Sequence, residues 1–294
     1  MEFKHEEYAL FGPAGNSEDF YASGGKSVYH VPDWLKKHGL FAFEYQCGRG
    51  VKISDDSARD FGRLAAEANI RLSVHAPYYI SLSSVEEEKR DKSIDYILQT
   101  LNVANCMGAD RIVVHSGSCG SITRLEALKL ATDTLTRAVK AADECGLGHI
   151  RICPETMGKV KQLGNVEEVL KLCMIDERLI PTLDFGHINA QSIGAYNTKE
   201  SIAAVLDAVR NTLGAERAKN FHAHYSRIEY TRAGEKKHHT IAETEYEPDF
   251  EPIAELIAER GLTPRIICES AGTQTGDAVL MQEMYRKNLE KAGA

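Results

Sequence analysis

An aspartate and a histidine stand three residues apart in PTLDFGHINA, Pro181 to Ala190, at the end of a short apolar run. The pair has company. His75, His115, Glu155, Asp184 with His187, His222 with His224, and Glu269 all fall where successive apolar runs turn polar. A single histidine beside such a run is more often a hydrogen-bonded structural residue than a ligand, and a buried acid usually pairs with a base. Six successive runs ending this way change the weighing. Imidazoles and carboxylates gathered in one place would be desolvated and mutually repelled unless cations neutralised them. Few lysines or arginines occupy the equivalent positions, so divalent metal is the economical partner. Imidazole mixed with carboxylate, without thiolate, suits Zn²⁺, with Mn²⁺ or Fe²⁺ as alternatives.

Eight apolar runs would have to position these side chains: 7–12, 40–45, 70–78, 111–117, 149–155, 179–186, 219–226 and 265–270. Each is short and rich in Val, Ile, Leu and Phe, as buried parallel strands are. Between them lie segments with apolar residues at helical spacing, such as 54–69, 86–109 and 121–146, with Gly108 and Gly146 near two of the ends. Eight alternating units with no linker and no break in composition favour a single α/β domain over residues 1–294, a (β/α)8 TIM barrel rather than a doubly wound sheet with an added domain. In that fold, catalytic side chains sit at the C-terminal rim of the strands, which is where this sequence turns polar. His5, His30, His38 and His149 lie off the strand ends and read as surface or structural.

Composition sets outer bounds. The 294 residues are 43% hydrophobic and 27% charged, an ordinary globular balance. With 35 basic and 43 acidic residues the net charge is −8, which excludes a globally basic nucleic-acid binder and requires any polyanion to be gripped locally. Seven cysteines form no CxxC pair, which argues against a disulfide framework or a cysteine zinc ribbon. No run approaches the roughly 18 apolar residues of a membrane span, and the start lacks a signal-peptide layout. The expectation is a cytoplasmic monomer with no membrane partner.

The series SVHAPYYISL, VVHSG, PET, LDFGH, FHAH and ICES, in this order over positions 73 to 270, resembles endonuclease IV, the zinc-dependent apurinic/apyrimidinic endonuclease family of TIM barrels. The resemblance implies two or three zinc ions at the barrel mouth. One would be held by His75, His115 and a bridging Glu155, and a second by Glu155, Asp184, His222 and Glu269. His187 and His238 would serve a third, with an aspartate two residues before the latter. Lys236 stands at that place. Either Glu235 substitutes, or the lysine replaces a cation and contacts phosphate, or KKHH is only a solvated loop. HAHY stands where the family has H-x-N-D, so His224 reads as a supporting residue. The implied chemistry is hydrolysis of DNA 5′ to an abasic site, with Glu155 and Glu269 catalytic and Glu269 orienting or deprotonating the water. The implied partner is damaged double-stranded DNA, with Tyr78 entering the duplex and Arg49, Arg227 and Lys236 holding phosphates.

Two other readings compete. Single-metal sugar isomerases and epimerases of the same broad fold resemble this chain in a Glu, Asp, His, Glu series, here Glu155, Asp184, His222 and Glu269. His75 and His115 discriminate against them, because they supply ligands that a one-metal enzyme does not require. A binding protein for a phosphorylated ligand, stabilised by metal and without turnover, is the third.

Overall fold

A computed structural model describes residues 7–293 of the chain. Ten strands form: β1 (Leu10–Pro13), β2 (Ala42–Gln46), β3 (Arg71–His75), β4 (Arg111–His115), β5 (Arg151–Glu155), β6 (Thr182–Asp184), β7 (His222–Tyr225), β8 (Arg227–Thr231), β9 (Gly234–His239) and β10 (Arg265–Cys268). Eight of them make one parallel sheet in the order β1-β10-β7-β6-β5-β4-β3-β2. The edges meet at Gly12, where a Cβ would stand 1.7 Å from the Ala42 carbonyl oxygen. Glycine there lets β1 approach β2, and the Phe41 amide donates to the Phe11 carbonyl at 3.2 Å. The sheet is a barrel, as the alternation of the sequence requires.

Helices α1 (Glu18–Ala22), α2 (Val31–Lys37), α3 (Asp55–Glu67), α4 (Glu87–Met107), α5 (Arg124–Glu144), α6 (Val166–Cys173), α7 (Phe185–Gln191), α8 (Lys199–Leu213), α9 (Ala215–Lys219), α10 (Glu251–Glu259) and α11 (Gln274–Ala292) cover the strands. Their ends obey local chemistry. Thr123 and Glu126 form a capping box at the start of α5, and Gly108 closes α4 in the left-handed conformation at φ 68°. The main core lies between helices and sheet, with Phe11, Phe43, Phe61, Val74, Ile112 and Ile266 among its members. Inside the barrel the apolar clusters are small, one of Leu10, Ala42 and Ile267 and one of Val113, Cys153 and Ile180. The barrel axis is therefore unusually polar for a packed core. Among the described residues no helix is long and apolar enough to cross a membrane, and all seven cysteines are free.

Two elements differ from the sequence reading. The stretch after β7 is an antiparallel hairpin, β8 with β9, rather than a loop. The Asp184 to His187 segment, placed by the sequence only at the end of an apolar run, is a helix start. Asp184 is the N-cap of α7, and its Oδ1 accepts from the His187 amide at 2.7 Å. The spacing of three is that of an N-cap to the third helical residue, which holds both side chains over the end of β6.

Candidate metal centre

Glu155 ends β5 and is 1% exposed. Its Oε2 lies 3.4 Å from His75 Nε2 at the end of β3 and 3.2 Å from His115 Nε2 at the end of β4. The His75 Nδ1–H donates to the Ala76 carbonyl at 2.7 Å. Because a carbonyl only accepts, Nδ1 keeps its proton, and Nε2 faces Glu155 and would offer its lone pair once an ion displaces the proton there.

The other oxygen of Glu155 faces a second set. Oε1 is 3.1 Å from His224 Nδ1, which is itself 3.5 Å from Glu269 Oε1. Glu155, Asp184, His224 and Glu269 converge closely enough to share one ion. His222, expected here, is elsewhere. Side chains two apart on β7 share a face, and His222 lies one step deeper in the barrel, where its Nε2–H donates to Glu44 Oε2 at 2.9 Å. Burial, which outweighs its contact with Glu44, holds the His222 imidazole down to about 3, and the neutral ring gathers with Glu44 and His224 in a separate, deeper set. His224, read as a supporting residue, stands with Glu155, Asp184 and Glu269 in its place.

Glu44 is the residue that sequence reasoning missed. Wholly buried on β2, it accepts from Ser73 Oγ at 2.9 Å and Gln46 Nε2 at 3.2 Å, and its Oε1 lies 3.0 Å from His224 Nε2. Burial would raise its carboxyl, but the His224 charge and hydrogen bonds from both histidines outweigh that and hold it well below the usual carboxylate range. An acid inside the apolar run LFAFEY, with no polar rim residue after it, was the available signal.

A third set combines barrel and hairpin. His187 Nδ1–H donates to the Thr156 carbonyl at 3.0 Å, and its Nε2 is 3.6 Å from Glu235 Oε2. Glu235 Oε1 is 3.6 Å from His238 Nε2, whose other ring nitrogen bonds Ser226 Oγ at 2.9 Å. The hairpin register explains the sequence departure. Glu229 pairs with Lys237 and Tyr230 with Glu235, so Lys236 is the extra residue of a bulge. Strict alternation would place residues 236 and 238 on one face; the bulge places Glu235 and His238 there. Lys236 points away, 57% exposed and 2.6 Å from Glu229 Oε1. Room for this set depends on Gly158, where a Cβ would stand 2.7 Å from Glu235 Oε2 and 2.8 Å from the His187 ring.

These residues fit divalent ions. Glu155 Oε2, Asp184 Oδ2 and His187 Nε2 are buried without a hydrogen-bond partner. Such orphans carry a desolvation penalty that a cation removes. Burial raises the Asp184 carboxyl, and burial alone would lower His75, yet contact with Glu155 lifts that imidazole to about 9. The site as a protein surface is short of positive charge, which imidazolium or metal supplies.

The expected DNA contacts divide. Tyr78 is 62% exposed after β3, beside Tyr79, and its amide donates to the Gly48 carbonyl of the loop carrying the exposed Arg49. Arg227 is turned inward, 6% exposed, donating to the Ile241 and Tyr246 carbonyls and to Asp249, so it braces the hairpin and is not a phosphate ligand. Lys236 is occupied by Glu229. Of the histidines set aside, His30 and His149 are exposed and His38 packs on Trp34, while His5 lies outside the described residues.

A family model described as xylose isomerase-like TIM barrel matches residues 32–289. The uncharacterized protein MJ0133 of Methanocaldococcus jannaschii is 32% identical over 278 residues, 95% of this chain and 97% of that protein. The probable endonuclease 4 of Malacoplasma penetrans is 37% identical over 101 residues, and the match spans about a third of the length of each, 34%. Among solved structures, endonuclease IV from Thermus thermophilus superposes with a TM-score of 0.71 at 19% identity, over 97% of this chain and 100% of that one. A D-tagatose 3-epimerase-like protein superposes with a TM-score of 0.69 at 23% identity, over 89% and 92%. At those identities the two structures speak to the fold alone.

Proposed function

The chain belongs to the xylose isomerase-like TIM-barrel family, and from that premise we propose that it is a metal-dependent phosphodiester hydrolase cleaving DNA 5′ to abasic sites. The observation that carries the reading is Glu155, whose two oxygens face two different donor sets. A one-metal enzyme needs only Glu155, Asp184, His224 and Glu269. Here His75 and His115 stand on the far oxygen, and His187, Glu235 and His238 form a further set alongside. Two or three zinc ions, with Mn²⁺ or Fe²⁺ as alternatives, match these donors.

Divalent ions in such a cluster lower the pKa of water and neutralise charge on the scissile phosphate. The chain supplies the rest. Glu269, at 17% side-chain exposure, is more open than the buried Glu155 and Asp184, so it can reach both the ions and an entering water as general base. His75 and His187 keep fixed tautomers through backbone carbonyls, which aims their lone pairs without reorganisation. Tyr78 presents an aromatic face at the rim suited to filling the gap left by an extruded nucleotide, and Arg49 on the adjoining loop suits a phosphate.

The complete quartet around Asp184 also suits the metal-polarised carbonyl of a sugar epimerase, which makes that the second reading. The deciding test is incubation of metal-loaded protein with a duplex carrying one abasic analogue that resists β-elimination, against an EDTA control and an undamaged duplex. Metal-dependent cutting 5′ to the lesion alone is the expected result. No cutting, together with epimerisation of a free ketohexose by the same sample, would overturn it.

A further inference from the structure

Four barrel strands share a pattern that the metal centre does not use. RLSVH, RIVVH, RICPE and RIICE begin with arginine and place a candidate ligand four residues on: Arg71 and His75, Arg111 and His115, Arg151 and Glu155, Arg265 and Glu269. Residues four apart on a strand share a face, so each arginine faces the barrel axis at the opposite mouth, roughly 13 Å below its ligand. These four arginines and Lys219 line one cavity of about 390 Å³, with Asp110 as the lone acid in its wall.

The charges there do not balance. Asp110 is shared, 3.0 Å from Arg111 Nη2 and 2.8 Å from Arg265 Nη1. Arg71, Arg151 and Lys219 make no ion pair among the described residues. Arg111 and Arg265 are 6% and 5% exposed, and each retains an unpartnered N–H, Nη1 of Arg111 and Nε of Arg265. Burial and repulsion from Arg111 hold Arg265 down to about 10. A chain of net charge −8 has acids to spare, yet only one is spent here. The Leu72 carbonyl also accepts from Arg265 Nη1 at 2.8 Å, but one half-exposed carboxylate is too little charge for two buried guanidiniums.

We propose that the N-terminal mouth of the barrel binds the phosphate group of a small molecule, with Arg111 and Arg265 at its floor and Arg71 and Arg151 at its entrance. A tetrahedral dianion answers the excess charge, and its oxygens accept the paired N–H groups that guanidinium presents. A monocarboxylate would leave most of the charge unmet, and the cavity exceeds what a bare phosphate fills. This site is independent of the reading of the metal centre.

Calorimetric titration of metal-loaded protein, in phosphate-free buffer at constant ionic strength, tests it with two probes, orthophosphate and ribose 5-phosphate. Both are expected to bind, and the tighter of the two identifies the source of the phosphate. The exposed pair Arg71→Met/Arg151→Met should weaken binding about tenfold or more. Asp110→Asn should tighten it, which a purely structural role for the arginines would not produce. The same binding is expected after chelation and dialysis, because the metal centre lies at the other mouth. Binding that persists in the chelator-treated double arginine variant, or disappears from the native protein on chelation, would overturn the proposal, as would no binding of either probe up to about 10 mM.

Discussion

One imidazole joins two carboxylates from opposite sides of the barrel: His224 Nε2 lies 3.0 Å from Glu44 on β2, and its Nδ1 lies 3.1 Å from Glu155 on β5. His224 Nδ1 is hydrogen-bonded to Glu155 Oε1; an ion bound at Nδ1 would leave the ring proton on Nε2, facing the Glu44 carboxylate, whose charge raises the basicity of the ring. Glu44→Gln keeps the volume and removes the charge. It should weaken metal binding about tenfold, read by competition with a chromogenic chelator, with an unchanged far-ultraviolet dichroism spectrum. Unaltered affinity would reduce Glu44 to a filler of the core.

The two histidines of β7 should separate cleanly. His224→Ala is expected to lose one ion and at least about a hundredfold in cleavage rate. His222→Ala should keep the metal stoichiometry and lose about 2–4 kcal/mol of stability, because it strips a hydrogen bond from the buried Glu44. Elemental analysis and denaturant melts of both variants check this. The reverse pattern would restore His222 as the ligand.

At the third set, Gly158→Ala should expel one ion, since the added Cβ would lie 2.7 Å from Glu235 and 2.8 Å from His187. Glu235→Gln should do the same. Lys236→Ala, whose side chain pairs outward with Glu229, should leave metal content unchanged. A change in zinc stoichiometry on removing Lys236 would contradict the outward placement.

Stability should fall in acid through Asp110. Burial would raise its carboxyl, but Arg265 and Arg111 outweigh that and hold it below the usual carboxylate range. A carboxyl depressed on folding contributes its full stability above the unfolded value near 4 and loses it as pH falls toward the folded value. Because the side chain is half exposed, solvent screening keeps the contribution to about 1 kcal/mol. The melting-temperature advantage of the native protein over Asp110→Asn should be present at about pH 6 and shrink below about pH 4. A constant difference across that range would assign the effect to hydrogen bonding alone.

The barrel was legible because parallel strands buried on both faces leave apolar runs that nothing else explains, and His75, His115, Glu155, Asp184 and Glu269 mark where those runs end. Three features were not. The choice between His222 and His224 turns on a two-residue step along β7 that keeps the face and changes only the depth, to which composition is blind. The hairpin hid for a related reason: GEKKHH carries no apolar alternation, and its bulge moves Glu235 onto the face where strict alternation would put Lys236. Glu44 carries no such mark because it lies inside its run rather than at the end, level with Ser73 and one layer below His75.

His187 belongs to the barrel, while Glu235 and His238 belong to an appended hairpin that meets it through backbone bonds such as the Glu235 amide to the Gly158 carbonyl and the bridge between Lys159 and Gly234. An ion gripped by all three would act as a clasp between two pieces of chain. Its affinity would then include the work of fastening the hairpin down, so this ion would be the first to leave as zinc becomes scarce, and its departure would loosen one wall of the rim while the ligands on the barrel strands kept their places.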